Sequence, residues 1–383
     1  MENSIHTVGF DGKRLVRNAT GLGNYSRYVV DTLSRACPEL QCRVYAAGSD
    51  AGLMAPMLER ASSITLHGPA TGLGRRMPSL WRTRMLGRQA AADGVDVFHG
   101  LSNEIPVDVA GKVPSVVTVH DVIWRRYPAD YKAIDRKLYD WKYGSSARRA
   151  DRVIAISECT ARDLVADFAI DPARIDVIYQ GVDPQFRPAE AAAVSAVRKA
   201  YGLPERYIIG VGTVQGRKNQ LLAAQALRAL PADVKLVLVG RRTDYAKEID
   251  SYAASHGLGD RIVWLQGVPF SHLPALYTGA AVAAYPSRYE GFGLPVVEAL
   301  SCGTPVIAAT GSCLEEAGGP GAVYVNPDDA DQFAHAAAKL LDDAGLRRQL
   351  AQAGAAHIQK FNTGQFAEKT LRAYQSAIQH FRQ

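Results

Sequence analysis

Two carboxylates frame the stretch of this sequence best equipped for chemistry. Glu290 and Glu298 stand eight positions apart in RYEGFGLPVVEALSCGTPVIAA (288–309). The order between them is strand end, glycine turn, helix start. Gly291 and Gly293 let the backbone approach a ligand closely, and Pro295 suits a first helical turn. Free N–H groups there, at the positive end of a helix, take an anion or hydroxyl oxygens. Glu290 falls at the loop mouth, and Glu298 is expected about two turns inside the helix. Spacing alone supports equally a plain strand–turn–helix with one surface and one capping glutamate.

Three further segments carry candidate chemistry. In VGTVQGRKNQ (211–220) a strand ends at Gly212, Thr213 opens a turn, and a helix is expected from about Asn219. Arg217 and Lys218 at its start oppose the helix dipole unless an anion compensates. Side by side they suit a diphosphate, the arginine as a fork and the lysine as a point charge; a solvated turn is the plainer reading of any such pair. In GFDGKRLVRNATGLGNYSRYV (9–29) Gly21 and Gly23 precede a helical run from Asn24. No glycine follows at the third fingerprint position, so a dinucleotide site is disfavoured, and a flexible loop competes. In VTVHDVIW (117–124) His120 and Asp121 end a strand. A histidine there can shuttle a proton near neutral pH or bind a sugar hydroxyl, or it can simply be a satisfied strand-end side chain.

The elements that would position these residues are short apolar runs alternating with helical stretches. Runs at 5–10, 42–47, 95–99, 115–120 and 152–157 form one series, and those at 207–212, 234–240, 262–266, 281–285 and 305–309 a second. They are continuously apolar, the pattern of strands buried on both faces of a parallel sheet. The fold class is therefore α/β, doubly wound, with two Rossmann-like domains. The expected boundaries are 1–184 for the first domain, 185–204 for a proline-marked linker and 205–364 for the second domain; a helix over 365–383 is expected to pack back on the first. Ligands in such sheets bind beyond the carboxyl ends of the strands, so two facing domains would share a cleft.

Composition narrows the function classes. With 47% hydrophobic residues over 383 positions, the chain can bury a core without disulfides or a metal. Its five cysteines include no Cys-x-x-Cys pair, which points to reduced thiols and a cytoplasmic protein. MENSIHTVGF has no leader pattern, and no run of membrane-spanning length occurs. The only Asp-x-Asp, Asp329-Ala330-Asp331, reads better as a helix N-cap than as a metal site. Residues 75–88 hold five arginines with Met77, Leu80, Trp81, Met85 and Leu86, and read as a basic interfacial helix or as a core helix with a solvated face. The aromatic-rich 124–143 is a second such candidate. A net charge of +6 permits an anionic partner, but no nucleic-acid module is present.

Together, Glu290-GFGLPVV-Glu298, VGTVQGRKN, IYQGVD (178–183), ISECTARDL (156–164), VHDVIW and GLGNYSRYV resemble, in order, the retaining family-4 glycosyltransferases of GT-B architecture, which include bacterial mannosyl- and rhamnosyltransferases. The likeness covers residue 8 to about 330 and is most specific at the glutamate pair. It implies two Rossmann-like domains facing across a cleft, and transfer of a hexose from a nucleoside-diphosphate sugar. Glu298 would hold the ribose and Glu290 a hydroxyl of the sugar. The N–H groups of Phe292, Gly293 and Leu294 would meet sugar and phosphate oxygens. Arg217 and Lys218 would clamp the diphosphate, Gly21 and Gly23 would let a loop close over it, and Thr213 and Val268 would border the donor. His120, Asp121, Asn103 and Asp11 would serve the acceptor side or its loop. The donor suggested is GDP-linked mannose or a deoxyhexose, the acceptor a glycan or polyprenyl-diphosphate-linked oligosaccharide, with no metal and with contact at the inner membrane's cytoplasmic face. Gln215-Gly216 departs from the usual acidic or small residue before Arg-Lys-Asn. An epimerase, a silent glycan-binding scaffold and an NAD-dependent oxidoreductase are the rival readings.

Overall fold

The computed structural model describes residues 5–48 and 50–383. Residues 1–4, on which part of the leader reading rests, lie outside the described residues. The chain forms two compact units, one running to Gln180 and joined by Thr363–Gln383, the other Gly181–Asn362.

The first unit is built on β1 (Thr7–Asp11), β2 (Gln41–Tyr45), β3 (Ile64–His67), β4 (Val97–Gly100), β5 (Ser115–Val119), β6 (Arg152–Ala155) and β7 (Ile175–Val177). Their order across the sheet is β3-β2-β1-β4-β5-β6-β7, and every pairing is parallel. β1 and β5 are buried along their whole length, which is why they read as unbroken apolar runs. The C-terminal helix Thr363–Phe381 packs on this unit through Phe366, Tyr374 and Ile378. Inside, His99 joins Tyr374 to Thr118: its Nδ1 lies 2.7 Å from the Tyr374 hydroxyl and its Nε2 2.8 Å from Thr118 Oγ1.

The second unit repeats the plan with β8 (Tyr207–Val211), β9 (Lys235–Val239), β10 (Ile262–Leu265), β11 (Val282–Tyr285), β12 (Val306–Ala309) and β13 (Ala322–Val325), ordered β10-β9-β8-β11-β12-β13 and all parallel. An aliphatic core lies between sheet and helices, with Leu222, Leu227, Leu236, Ile249, Phe333 and Leu340 all buried. In each sheet the winding reverses beside the first strand, β1 or β8, so the ligand-binding crevice opens beyond its carboxyl end.

Two expectations change here. Residues 185–204 do not run as a free linker: the helix Ala191–Tyr201 belongs to the second unit, and Arg198 Nη2 donates to the Gly279 carbonyl at 2.9 Å. Residues 75–88 are not one interfacial helix. Pro78 starts a new helix, so the stretch splits among Gly72–Arg76, Pro78–Arg84 and Leu86–Ala92. Trp81 and Leu86 are core side chains, and the Trp81 Nε1 donates to Gln89 Oε1 at 2.8 Å. In 124–143, Trp124 is likewise buried, with its Nε1 donating to Asp140 Oδ1 at 2.7 Å.

Candidate donor site and its counterpart in the first unit

In the second unit the crevice is lined from the carboxyl ends of β8, β9, β10 and β11. Beyond β8, Gly212 takes φ +134°, and beyond β9, Gly240 takes φ +144°. A Cβ on Gly240 would stand 2.2 Å from the Gly212 carbonyl oxygen, so only glycine allows these two backbones to meet. Thr213 follows, half-buried, its carbonyl accepting from Gln220 Nε2 at 3.2 Å. Val268, also half-buried, lies in the turn after β10.

A single 3-10 turn, Gly216–Lys218, then delivers the two cations. Asn219 stops it in the left-handed region at φ +56°, and its Nδ2 donates to the Pro327 carbonyl at 2.7 Å, pinning the turn to its neighbours. Arg217 Nη1 lies 2.9 Å and Lys218 Nζ 3.3 Å from the same oxygen, Glu290 Oε1. That oxygen also accepts from Ser287 Oγ at 2.8 Å and from the Tyr285 hydroxyl at 3.1 Å. Arg217 donates as well to the Tyr289 carbonyl, and Lys218 Nζ to the Tyr285 hydroxyl at 2.8 Å. Burial alone would raise the Glu290 carboxyl, but Lys218 and Arg217 outweigh it and hold the group below the usual carboxylate range. The side chains of Arg217, Lys218 and Glu290 are only 9%, 15% and 12% exposed, so two cations share one carboxylate in a poorly hydrated place. The local excess is one positive charge, and an anion would satisfy it.

Gly293, at φ +98°, is the N-cap of the helix Leu294–Ser301, which starts four residues after Glu290 and has no side-chain cap on its first N–H groups. Phe292 is buried against Phe361, ring centroids 5.1 Å apart, which fixes the turn. Glu298 is the fifth residue of this helix and so lies about one turn in, not two. The turn Gly291–Gly293 uses up residues that an earlier helix start would have wound. The Tyr277 hydroxyl donates to Glu298 Oε2 at 3.2 Å. Burial, with Asp183 adding to it, pushes the Glu298 carboxyl up to about 7 against the opposing pull of Tyr277 and Lys218.

In the first unit, the sequence candidates fall at the carboxyl ends of β1, β4 and β5. Asn103, at φ +63°, accepts from the His120 backbone N–H through Oδ1 at 2.8 Å and so braces the end of β5. The His120 ring packs edge-on to Tyr25 at 4.6 Å, with Nε2 2.9 Å from the Leu101 carbonyl. Burial first, and Arg14 second, push its pKa down to about 4, which the Leu101 contact only partly opposes. It is therefore neutral at pH 7, and the expected proton shuttle near neutrality does not fit its surroundings. Asp121 Oδ1 accepts from the Ile123 N–H at 3.1 Å, starting a short helix.

The glycine segment differs from expectation. Gly21 and Gly23 form the first turn of the helix Gly21–Ala36, not a loose loop. Gly21 has open space around it, whereas a Cβ on Gly23 would meet the Asn18 carbonyl oxygen at 1.8 Å. Gly23 is there for close packing. Nor does Asp11 support that segment. Its carboxylate accepts from the Lys13 N–H at 3.1 Å and pairs with Arg82 Nη2 at 2.5 Å.

Residues 26–186 match the family described as Glycosyltransferase Family 4, and residues 196–357 match Glycosyl transferases group 1. An O-antigen chain mannosyltransferase B of Escherichia coli is 30% identical over 374 residues, 93% of this chain and 96% of that protein. The chain belongs to the family-4 glycosyltransferases. A D-inositol 3-phosphate glycosyltransferase of Salinispora arenicola is 36% identical over 248 residues, 60% of this chain. Here this family-4 chain aligns with 55% of its relative's length, about half. Among solved structures, Anabaena HepE in complex with UDP and glucose superposes with a TM-score of 0.77, covering 97% of this chain and 100% of that one at 20% identity. Sucrose-phosphate synthase of Thermosynechococcus elongatus does so at 0.74 and 21% identity, covering 97% and 98%. Both likenesses are of fold, and the two-unit α/β architecture is GT-B.

Several residues that shape the candidate site of this family-4 chain escaped the sequence reading. Tyr285 and Tyr277 hold the two glutamates, and Ser287 completes the shell of Glu290. The one available signal was a tyrosine closing the otherwise aliphatic strand AVAAY. Among the described residues there is no group of three or more His, Cys, Asp or Glu side chains placed to hold a metal. Asp329 caps the helix Ala330–Asp342, accepting from the Gln332 N–H at 2.8 Å. No helix among the described residues is long and apolar enough to cross a membrane.

Proposed function

We propose that the chain is a retaining hexosyltransferase that moves a mannose-like sugar from a nucleoside diphosphate, GDP by preference, to a hydroxyl of a glycan or lipid-linked oligosaccharide in bacterial surface polysaccharide synthesis. The observation that carries this reading is the convergence of Arg217 and Lys218 on one carboxylate oxygen beside the start of the helix Leu294–Ser301. As the bond from the anomeric carbon to the diphosphate breaks, charge builds on the leaving phosphate. Two preplaced cations and the helix N–H groups stabilise it without reorganising. Glu298 binds the ribose and Glu290 a sugar hydroxyl. The acceptor hydroxyl attacks from the face the diphosphate leaves, and its proton passes to that diphosphate. The two side-chain cations supply the charge that a divalent ion would otherwise supply, so no metal is required. His120, neutral, serves as a hydrogen-bonding partner of sugar or acceptor. The preference for GDP and mannose is supported by likeness to the O-antigen mannosyltransferase and by nothing in the site itself. The enzyme would work in the cytoplasm, at the inner membrane's face, where such acceptors are made.

Thermal unfolding with GDP, UDP, dTDP, ADP and NAD, on wild type and on Lys218→Ala, tests the donor. A ligand at a hundredfold excess over its dissociation constant adds about 2.7 kcal/mol of apparent stability. One nucleoside diphosphate should do so, and Lys218→Ala should abolish the effect; a response to NAD alone would remove the transferase reading. The anomeric configuration of the product, read by NMR, tests retention.

A further inference from the structure

A buried chain of polar groups crosses the first unit from the C-terminal helix to the end of β5. The Tyr374 hydroxyl meets His99 Nδ1 at 2.7 Å, His99 Nε2 meets Thr118 Oγ1 at 2.8 Å, and Thr118 Oγ1 lies 3.2 Å from the Tyr25 hydroxyl. All four side chains are buried. Burial raises both phenols and lowers the His99 imidazole, so at pH 7 the chain carries no charge. Buried polar groups are costly unless each is satisfied, and here each finds its partner in the next. The far end of the chain is a ring contact: Tyr25 and His120 pack edge to face, with centroids 4.6 Å apart and planes at 86°. Thr118 lies in β5, two residues before His120, which puts both side chains on the Tyr25 side of the strand. The C-terminal helix also meets the Tyr25 ring directly through Phe366, centroids 6.3 Å apart.

The surroundings of His120 also fix its proton. Its Nε2 lies 2.9 Å from the Leu101 carbonyl, which can only accept, so Nε2 carries the hydrogen. In a neutral ring Nδ1 is then a bare acceptor, and among the described residues no hydrogen bond reaches it. We propose that Tyr374, His99, Thr118 and Tyr25 are positioning residues that hold the His120 ring so that Nδ1 accepts a hydrogen bond from a hydroxyl of the sugar or acceptor. The ligand in this assignment rests on the reading of His120 given above; the hold on the ring does not. The arrangement selects by chemistry, because Nδ1 takes a hydroxyl donor and offers nothing to an oxyanion. It also makes the last helix of the chain a support of the site, acting through Tyr25 and His120.

Imidazole nitrogen NMR of the full chain, labelled at histidine, tests the hold on the ring. The variants are Tyr374→Phe and Thr118→Val, each of which removes one hydroxyl and keeps the shape around it. In wild type His120 should carry its proton on Nε2. In both variants its ring signals should shift and broaden as Tyr25 loses its anchor. A His120 signal unmoved in both, while that of His99 changes, would overturn the proposal, as would a wild-type proton on Nδ1. Calorimetric titration with GDP and with GDP-mannose reads the consequence. Tyr374→Phe should bind GDP as wild type does and lose about threefold or more of the extra affinity that mannose confers. If His120→Ala removes that extra affinity and Tyr374→Phe leaves it intact, the positioning role falls. If His120→Ala leaves it intact as well, His120 is no partner of the donor sugar, and the NMR result alone decides whether the chain holds its ring.

Discussion

Replacing Glu290 by glutamine removes one charge and almost nothing else. The amide keeps the shape and an oxygen for the Ser287 and Tyr285 hydroxyls, which lie at 2.8 and 3.1 Å. What vanishes is the countercharge at 2.9 Å from Arg217 and 3.3 Å from Lys218. Removing one partner of a buried pair costs about 3–5 kcal/mol. These side chains retain 9–15% exposure, so some solvent reaches the stranded cations and the low end, about 3 kcal/mol, applies. At about 2–4 °C per kcal/mol for a unit of this size, the melting of the second unit should fall by about 6–12 °C. The same reasoning gives binding the opposite sign. Glu290 competes with a diphosphate for the two cations, so nucleoside diphosphate should bind Glu290→Gln about tenfold more tightly than wild type, about 1.4 kcal/mol. Sugar transfer should still drop, because the proposed contact to the donor hydroxyl loses its charge and becomes a weaker, neutral hydrogen bond. Differential scanning calorimetry and nucleotide titration check both halves. An unchanged melt would show that the ion pair adds nothing to stability, and nucleotide binding weakened as in Lys218→Ala would show that Glu290 holds the clamp in place and does not compete for it.

Glu298 carries a pH signature. Its folded carboxyl titrates at about 7, above its ordinary range, so between the two values the folded state holds a proton the unfolded state has lost. Stability must then fall as pH rises through that window, with the penalty complete above about pH 7. Glu298→Gln should flatten this limb and gain on the order of 2 kcal/mol at about pH 8, and a wild-type stability that rises over the same window contradicts the assignment. Burial sets His120 at about 4 and His99 at about 3, so their imidazole NMR signals should not titrate between about pH 5 and about pH 8. For these two the unfolded chain takes up protons first, and stability is lost as pH falls below the ordinary histidine range; a midpoint near that ordinary value for either ring would contradict its burial. Gly293→Ala places a Cβ 2.7 Å from Leu314 Cδ2 at φ +98° and should cost about 1–3 kcal/mol in chemical denaturation; a neutral result would mean that the turn can be rebuilt without glycine.

How far the sequence carries depends on what each residue's environment requires. Interior strands such as TVGFD and SVVTV are buried throughout, and an unbroken apolar run announces them. Strands ITLH and IDV carry no such run and AVYV only one of four residues, and all three lie at sheet edges, partly exposed and short. An edge strand needs only one neighbour, so its pattern can be weak, although IVWL, also at an edge, kept an apolar run. At the site, the acid–base complementarity of Arg217, Lys218 and Glu290 is local chemistry that motif spacing can express. The protonation of His120 is not, because it depends on burial, and then on a carbonyl of Leu101 and on Arg14, which only folding brings together. Residues 75–88 show the converse. Their arginines and apolar side chains suit a membrane surface, but Pro78 breaks the helix and Trp81 finds the core.

The C-terminal helix makes the first unit a discontinuous one, with the second unit set into it as an insert. Tyr374 reaches His99 across 275 positions of sequence. On the ribosome, the early strands must therefore wait for the last helix, and the inserted unit can complete its own sheet first. A shortened chain ending at the first junction would lack the cover over His99 and Tyr25. Exchange of second units between relatives accordingly needs two splice points, at 180/181 and at 362/363, with the final helix kept beside the N-terminal sheet it packs on.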